Sequence, residues 1–368
     1  MNRREEVETK LTWVREALAQ AGAETCRLRG TDWFAWATAG GSSTVLLTAE
    51  TGVAEVVVRP EEAFVLTDRI EAARLTAEEL GGGELDAVLP VRAVPWGDGQ
   101  AWEAAAREEA TRILSDRPGP SEAPLPPELE ARKRILLPSE LDRFRRVGRD
   151  AAQAVTEVLF AATPDMTELD LAGEASAALR RRGLEDALAL VAGERRLPLY
   201  RHPTPQAEPL GSVAMLVVCA RGHGLVASLT RFVAFAPLPA ELRAAHAEVS
   251  AVEAAVLAAS RPGAALADLY GVLAQAYRDL GHPQALFEHH QGGIAGYRAR
   301  EAIATPDASV TLSAGNVLAW NPSVRGAKIE DTIALTGEGL EVLTLDPRWP
   351  QAPVNGLDRP LVLERLGR

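Results

Sequence analysis

A run of prolines limits what this chain can fold into. Five prolines lie within ten residues, from Pro118 to Pro127, inside the segment SDRPGPSEAPLPPELEARK. Proline donates no backbone hydrogen bond and clashes with the preceding helical turn, so the stretch cannot continue a helix or an inner strand. We predict an N-terminal domain at 1–115, a linker at 116–133 and a C-terminal domain at 134–368. The 368-residue length agrees, since single cores stop growing near ~250–300 residues.

The segment before the prolines mixes helical and strand patterns. EEVETKLTWVREALAQAG has apolar residues at helical spacing and ends at Gly22, a residue that commonly terminates helices. The runs STVLLTAE, GVAEVVVRP and AFVLTD that follow are typical of strands. Together they predict an α/β domain.

The segment after the prolines alternates twice between helices and strands, which indicates an α+β domain. The predicted helices are LPSELDRFRRVGRDAAQAVTEVLFAA, TELDLAGEASAALRRRG, LPAELRAAHAEVSAVEAAVLAASRPG and LADLYGVLAQAYRDLG. The predicted strand runs are VAMLVVCARG, GLVASLTRFVAF, VLAWNPSV and EDTIALTGEGLEVLTL.

Composition excludes several classes of function. A net charge of −12 without a basic stripe argues against nucleic-acid binding. Cys26 and Cys219 form no CxxC pair, so neither a disulfide framework nor a zinc knuckle is indicated. The start MNRREEVETK lacks the apolar core of a signal peptide, and no apolar run approaches the ~20 residues of a membrane helix. We therefore expect a cytoplasmic protein that binds no membrane.

Several motifs of the C-terminal half resemble one known family. They are PSELDRFRRVGRDAAQA, PDMTELDL, GLVASLTRF, HHQGGIAG and KIEDTIALTGEGLEVLT, in this order. In this respect the chain is similar to the creatinase, prolidase, Xaa-Pro aminopeptidase and methionine aminopeptidase family, whose C-terminal domain has the "pita-bread" fold. The resemblance implies a smaller α/β domain in front of that fold and a homodimer.

The resemblance also locates the positions of metal ligands. In catalytic members of the family, two divalent cations are held by five carboxylate and imidazole side chains and activate a shared water. The corresponding positions here are Val217, Ser228, Gly293, Asn321 and Glu330. Only Glu330 carries a charge, and one carboxylate cannot neutralise two divalent cations. We therefore expect no metal pair and no other cofactor.

A histidine-based mechanism stays possible without metals. Creatinase, a family member that lacks the metals, hydrolyses a carbon–nitrogen bond with a histidine as acid and base. Here His202 matches the substrate-side histidine of the family, and Arg300 stands where members have a second, catalytic histidine. The histidine upstream of the ligand position is His289. Our catalytic candidates are therefore His202, His289, Arg300 and Glu330.

Other polar residues near these positions suit the recognition of a small anionic or zwitterionic molecule or a short peptide. The candidate binding residues are His223, Arg231, His290, Tyr297, Arg298, Glu301, Asn321 and Lys328.

The sequence leaves the roles of several candidates open. On a strand, Arg298 and Arg300 would share one face, either to clamp a substrate carboxylate or to form ion pairs. His202 and His289 are either catalytic groups or ordinary loop and turn residues. Glu330 is either a member of a structural ion pair with a cation such as Lys328, or a general base with a raised pKa.

Three functions follow from these alternatives. The first is a metal-independent hydrolase that acts on an amide or other C–N bond of a small substrate. The second is a catalytically inactive homologue that binds a small ligand or a partner protein. The third is a genuine Xaa-Pro dipeptidase with unusual metal ligands. Carboxylates within reach of the ligand positions would distinguish the third from the others.

Overall fold

The computed structural model describes residues 1–365, which form two compact units. The first unit ends at Glu140 and the second begins at Leu141. Among the described residues, no helix is long and apolar enough to cross a membrane.

The first unit is built on one six-stranded mixed sheet with the order β4-β3-β2-β1-β5-β6. The helix predicted to end at Gly22 is confirmed, because α1 ends at Ala21 and Gly22 caps it with a φ of 61°. The strands are β1 (Thr25–Gly30), β2 (Thr51–Val58), β3 (Ala63–Asp68), β4 (Val91–Val94), β5 (Ile113–Ser115) and β6 (Ala123–Pro124). The helices are α1 (Arg3–Ala21), α2 (Thr31–Ala37), α3 (Ala72–Arg74), which continues into a π-turn at Leu75–Glu79, α4 (Gly99–Arg107) and α5 (Pro127–Arg134).

The strand predicted at residues 43–50 is wrong. This segment forms turns, and Val45, Leu46 and Leu47 are exposed. Its composition favours a strand, but no neighbouring sheet position is open to it, because β1 already pairs with β2 on one side and with β5 on the other. β-propensity requires a partner strand to take effect.

The segment 116–133, interpreted above as a linker, lies within the first unit. Pro124 ends the edge strand β6, which pairs in parallel with β5. Pro127 begins α5. Both positions tolerate proline, since an edge strand can lack one hydrogen-bond donor and the first helical turn needs none. The compact unit therefore reaches Glu140 rather than residue 115.

The second unit contains two larger sheets, with the orders β19-β9-β8-β7 and β11-β10-β12-β15-β16, and two short hairpins. Its helices are α6 (Pro138–Ala161, which begins in the first unit), α7 (Glu168–Arg180), α8 (Ala240–Ala259) and α9 (Leu266–Asp279), with a 3₁₀ turn at Ala285–Phe287. Its strands are β7 (Glu185–Gly193), β8 (Val213–Gly222), β9 (Leu225–Ala234), β10 (Gly292–Ala295), β11 (Ala302–Ile303), β12 (Val317–Trp320), β13 (Ser323–Val324), β14 (Ala327–Lys328), β15 (Ile333–Thr336), β16 (Gly339–Val342), β17 (Gln351–Val354), β18 (Leu357–Pro360) and β19 (Leu363–Glu364).

The two sheets meet where β9 passes the segment that follows β14. The backbone N–H of Thr230 donates to the carbonyl of Glu330 at 3.0 Å, which ties this segment to β9. The β8–β9 hairpin pairs Val217 with Thr230 and Cys219 with Ser228. This junction places polar side chains from several elements close together.

Candidate functional site

Glu330 lies between two cationic side chains. Arg300 Nη2 donates to its Oε1 at 2.7 Å, Lys328 Nζ lies 3.0 Å from its Oε2, and Thr230 Oγ1 donates to the same oxygen at 3.1 Å. Burial would raise the pKa of this carboxyl, but the charges of Lys328 and Arg300 outweigh it and lower the pKa to about 2. Of the two roles left open above, the geometry favours the ion pair.

A serine and a cysteine extend this cluster along the β8–β9 hairpin. Ser228 Oγ lies 3.4 Å from Cys219 Sγ and accepts a hydrogen bond from Arg300 Nη1 at 3.4 Å. Burial and the negative charge of Glu330 raise the pKa of the Cys219 thiol, so it is protonated at neutral pH. Sequence reasoning missed Cys219 as a site residue. A hairpin centred on His223 and Gly224 would have placed it opposite Ser228.

Three histidines from two loops form a contact chain. The Nε2 atoms of His289 and His202 lie 3.0 Å apart, and the ring of His290 stacks on His289 at 4.5 Å. Burial lowers the pKa of His289 to about 3 and of His290 to about 4, and it also lowers the pKa of His202. The charges of Lys328 and Glu330 also act on the pKa of all three histidines, which indicates that the three rings lie near the ion pair. The three rings are neutral at pH 7.

The prediction that Arg298 and Arg300 share one strand face is wrong. β10 ends at Ala295, and residues 296–300 form a bend in which the N–H of Gly296 donates to the carbonyl of Arg298 at 3.0 Å. Arg298 is exposed, whereas the side chain of Arg300 turns inward to Glu330. The alternation of side chains that a strand imposes does not hold across a bend.

Three further candidates are Asn321, Tyr297 and Glu301. Asn321 is hydrogen-bonded to the residue after His290, and Tyr297 and Glu301 are close to Arg300 in sequence. The N–H of Asn321 donates to the carbonyl of Gln291 at 3.1 Å, and its buried Oδ1 has no hydrogen-bond partner within residues 1–365. Tyr297 is buried. Glu301 is partly buried and accepts a hydrogen bond from the N–H of Arg298 at 3.2 Å.

Arg231 and His223 lie elsewhere. Successive residues of a strand face opposite sides, so Arg231 points away from Ser228 and Thr230. Its guanidinium donates to Asp331 Oδ1 at 2.8 Å and to the carbonyl of Thr344 at 2.6 Å. We therefore assign Arg231 to a buried structural ion pair. His223 is exposed at the tip of the β8–β9 hairpin with a φ of 52°.

The five ligand positions do not fit a pair of divalent cations. Val217, Ser228 and Gly293 offer no carboxylate or imidazole, and Asn321 offers only a neutral amide. The oxygens of Glu330 already contact a guanidinium and an ammonium. Within residues 1–365, no group of three or more His, Cys, Asp and Glu side chains is arranged to hold a metal ion.

Gly293 shows why the ligand histidine has no room here. Its φ is 152°, and a Cβ at this position would lie 2.1 Å from the carbonyl oxygen of Ala302. We expect Gly293→Ala and Gly293→His to lower the free energy of unfolding, each by at least about 1–3 kcal/mol, measured by urea denaturation. Gly271→Ala is the control, because a Cβ there meets open space on α9. Equal stability of Gly293→Ala and the wild type would contradict this account.

Comparisons with known proteins agree with this architecture. The profile of metallopeptidase family M24 matches residues 142–337. A dipeptidase from Mycobacterium ulcerans superposes with a TM-score of 0.77 at 17% identity and covers 100% of both chains. An Xaa-Pro dipeptidase from Bacillus anthracis has a TM-score of 0.76 at 17% identity, covering 97% of this chain and 99% of that one. A prolidase from Pyrococcus horikoshii has a TM-score of 0.78 at 16% identity, covering 92% and 99%.

The chain belongs to metallopeptidase family M24. The predicted fold, an α/β domain followed by a C-terminal pita-bread domain, is confirmed by the prolidase-like structures. Among curated proteins, the "Agropine synthesis cyclase" of Rhizobium rhizogenes is 32% identical over 143 residues, which is 36% of this chain and 36% of that protein. The chain thus spans about a third of that relative's length.

Proposed function

We propose that this protein is a metal-independent hydrolase that cleaves an amide or other C–N bond in a small substrate bearing a carboxylate. The supporting observation is the pairing of Glu330 with both Lys328 and Arg300. One carboxylate and two cations leave a net positive charge at this cluster. Such a cluster repels divalent cations and attracts a carboxylate.

The neutral histidines supply acid-base chemistry. His202 is partly exposed, and its Nε2 contacts Nε2 of His289, so His289 orients its ring. In the proposed reaction, His202 accepts a proton from the water that attacks the carbonyl carbon. It then returns the proton to the leaving nitrogen as the C–N bond breaks. Lys328 and Arg300 hold the substrate carboxylate, and Glu330, which stays ionised, holds these two cations in place.

Intramolecular ring closure is a second candidate. The relative named a cyclase is the observation that favours it. In that reaction, a nucleophile within the substrate replaces water. His202 again transfers the proton, and Lys328 and Arg300 again bind the substrate carboxylate. A panel of N-acyl amino acids, Xaa-Pro dipeptides and linear precursors of cyclic products, analysed by mass spectrometry, distinguishes hydrolysis (+18 Da) from ring closure with loss of water or ammonia.

We expect the purified protein to carry less than about one equivalent of Mn, Co or Zn and to keep its activity after chelation. The reason is charge, since two divalent cations need several carboxylates and only Glu330 stands at a ligand position. Elemental analysis measures the metal content, with a zinc enzyme of known content treated in parallel. Two tightly bound metals, Mn²⁺-dependent Xaa-Pro cleavage and loss of activity on chelation would instead support a genuine dipeptidase. A protein that converts none of the panel compounds but still binds them would support the inactive homologue.

A further inference from the structure

A cavity of about 550 Å³ lies in the second unit beside α8. This volume is in the range of small-molecule sites, which are roughly 300–1,000 Å³. Most of its lining is apolar, contributed by β9, the segment after it, α8 and the C-terminal strands. The apolar residues that matter here are Phe232, Leu238, Ala247, Val354, Leu361 and Val362.

The cavity adjoins the ion-pair cluster. Thr230 and Lys328 line it, and both contact the carboxylate of Glu330. An ammonium has three N–H donors, and Glu330 is the carboxylate that Lys328 contacts within residues 1–365. A ligand in the cavity can therefore reach Lys328 with a carboxylate without displacing Glu330.

Two buried polar atoms of residues that line the cavity, Nε2 of His246 and Nη1 of Arg359, have no hydrogen-bond partner within the described residues. His246 lines the cavity and packs edge-on against Phe232, with ring centroids 4.3 Å apart. Its Nε2 is buried and has no hydrogen-bond partner within the described residues. Burial lowers the pKa of His246 to about 4, so the ring is neutral at pH 7 and offers one hydrogen bond from this atom. A buried polar atom without a partner is costly in a folded protein, and a bound ligand would satisfy it.

We infer that this cavity binds a small molecule with a carboxylate and an apolar group. The carboxylate lies at Lys328, the apolar group fills the cavity, and a single polar substituent on that group reaches His246 Nε2. The substrate class is thus an acid with a medium-sized aliphatic or aromatic group that carries one hydroxyl or similar group. The inference rests on the proposed function for the placement of the carboxylate.

Equilibrium binding to the full chain tests the inference without turnover. We expect calorimetry with butanoate, pentanoate and hexanoate to show affinity rising about fourfold for each added methylene. The primary amides of the same acids should bind at least about tenfold more weakly, because they lose the charge that Lys328 attracts. Equal affinities across the series, or between acids and amides, would overturn the inference.

A matched pair of variants locates the binding. Ala247 and Ala244 are both exposed on α8, but only Ala247 lines this cavity. Ala247→Trp should abolish the dependence on chain length, whereas Ala244→Trp should preserve it. If both variants behave like the wild type, the acids bind elsewhere and the inference fails.

The role of His246 is tested with the three positional isomers of 3-(hydroxyphenyl)propanoate and the parent 3-phenylpropanoate. At least one isomer should bind about fivefold more tightly than the parent, and His246→Phe should remove this gain while keeping affinity for the parent. A gain that persists in His246→Phe contradicts the assignment. If the acids bind as expected but the protein is inactive towards every substrate class, the result contradicts the proposed function and not the inference. If the protein turns over a panel substrate but the acids do not bind as expected, the result contradicts the inference and not the proposed function.

Discussion

Replacing Glu330 by Gln is expected to lower the free energy of unfolding by about 3–5 kcal/mol. The side chains of Glu330, Lys328 and Arg300 are all nearly buried, with exposed fractions of 3%, 7% and 9%. The substitution leaves two cations beside each other with no carboxylate between them, and neither can return to water without a change of structure. Urea denaturation at pH 7 measures the difference.

Glu341→Gln is the matched control. Glu341 pairs with Arg145 at 2.8 Å, but both side chains are about 40% exposed, at 39% and 42%. Exposed pairs contribute about 0–1 kcal/mol, so this change should be small. A double variant, Glu330→Gln with Arg300→Met, should recover part of the loss because it removes one of the stranded charges. A loss below about 1 kcal/mol in Glu330→Gln would show that the ion pair is not a structural element.

The same variant has a defined pH dependence. The pKa of Glu330 is lowered from 4.5 to about 2 in the folded chain. A carboxyl with a depressed pKa stabilises the folded state fully above its unfolded value and loses this contribution as the pH falls towards the folded value. The difference in stability between the wild type and Glu330→Gln should therefore be constant above about pH 5 and shrink below it.

Replacing His202 by Ala is expected to reduce kcat/KM by about 10²–10⁴ on the substrate that the panel identifies, the usual contribution of a general acid–base group. His282→Ala is the control, since His282 contacts Glu248 at 2.9 Å on a partly exposed surface and makes no hydrogen bond or ion pair with Glu330, Lys328 or Arg300 among the described residues. It should change kcat/KM by less than about twofold. Full activity of His202→Ala would exclude this histidine as the base.

The pH profile distinguishes a base from a merely structural histidine. His202 must be neutral to accept a proton, and burial lowers its pKa from 6.5. The midpoint of the acidic limb of the activity profile should therefore lie below pH 6.5. His289→Gln tests positioning: it should lower kcat and move this acidic limb while leaving the fold intact. An unchanged profile in His289→Gln would assign that residue to structure only.

Features that depend on local pattern could be predicted from the sequence. The long apolar runs of β8 and β9 around the turn at Gly224, and α1 with its cap at Gly22, are local, and the structure has them where expected. The segment 43–50 also has a strand pattern, but its conformation depends on whether a sheet position is open beside it. The prolines near Pro124 predict a break in regular structure, because a single sequence does not show that they lie at an edge strand and a helix start.

The candidate site shows the same limit. Charge alone indicates that a buried Glu330 without metal ions is either protonated or paired with a cation, and Lys328 and the arginines are the candidate partners. The contact between His202 and His289 joins residues 87 positions apart. The inward turn of Arg300 depends on a bend that its flanking residues do not mark. Such contacts are set by tertiary packing, which one sequence does not reveal.

The cations that hold Glu330 have a consequence for how the protein responds to its surroundings. A bound metal ion has a dissociation constant, so its occupancy varies with supply, chelators and competing ions. Arg300 and Lys328 are part of the chain, and their occupancy at Glu330 is complete as soon as the second unit folds. The two positive charges at Glu330 are therefore supplied by the chain itself and, at neutral pH, do not vary with the concentration of any metal ion. What controls them instead is the folding equilibrium of the chain.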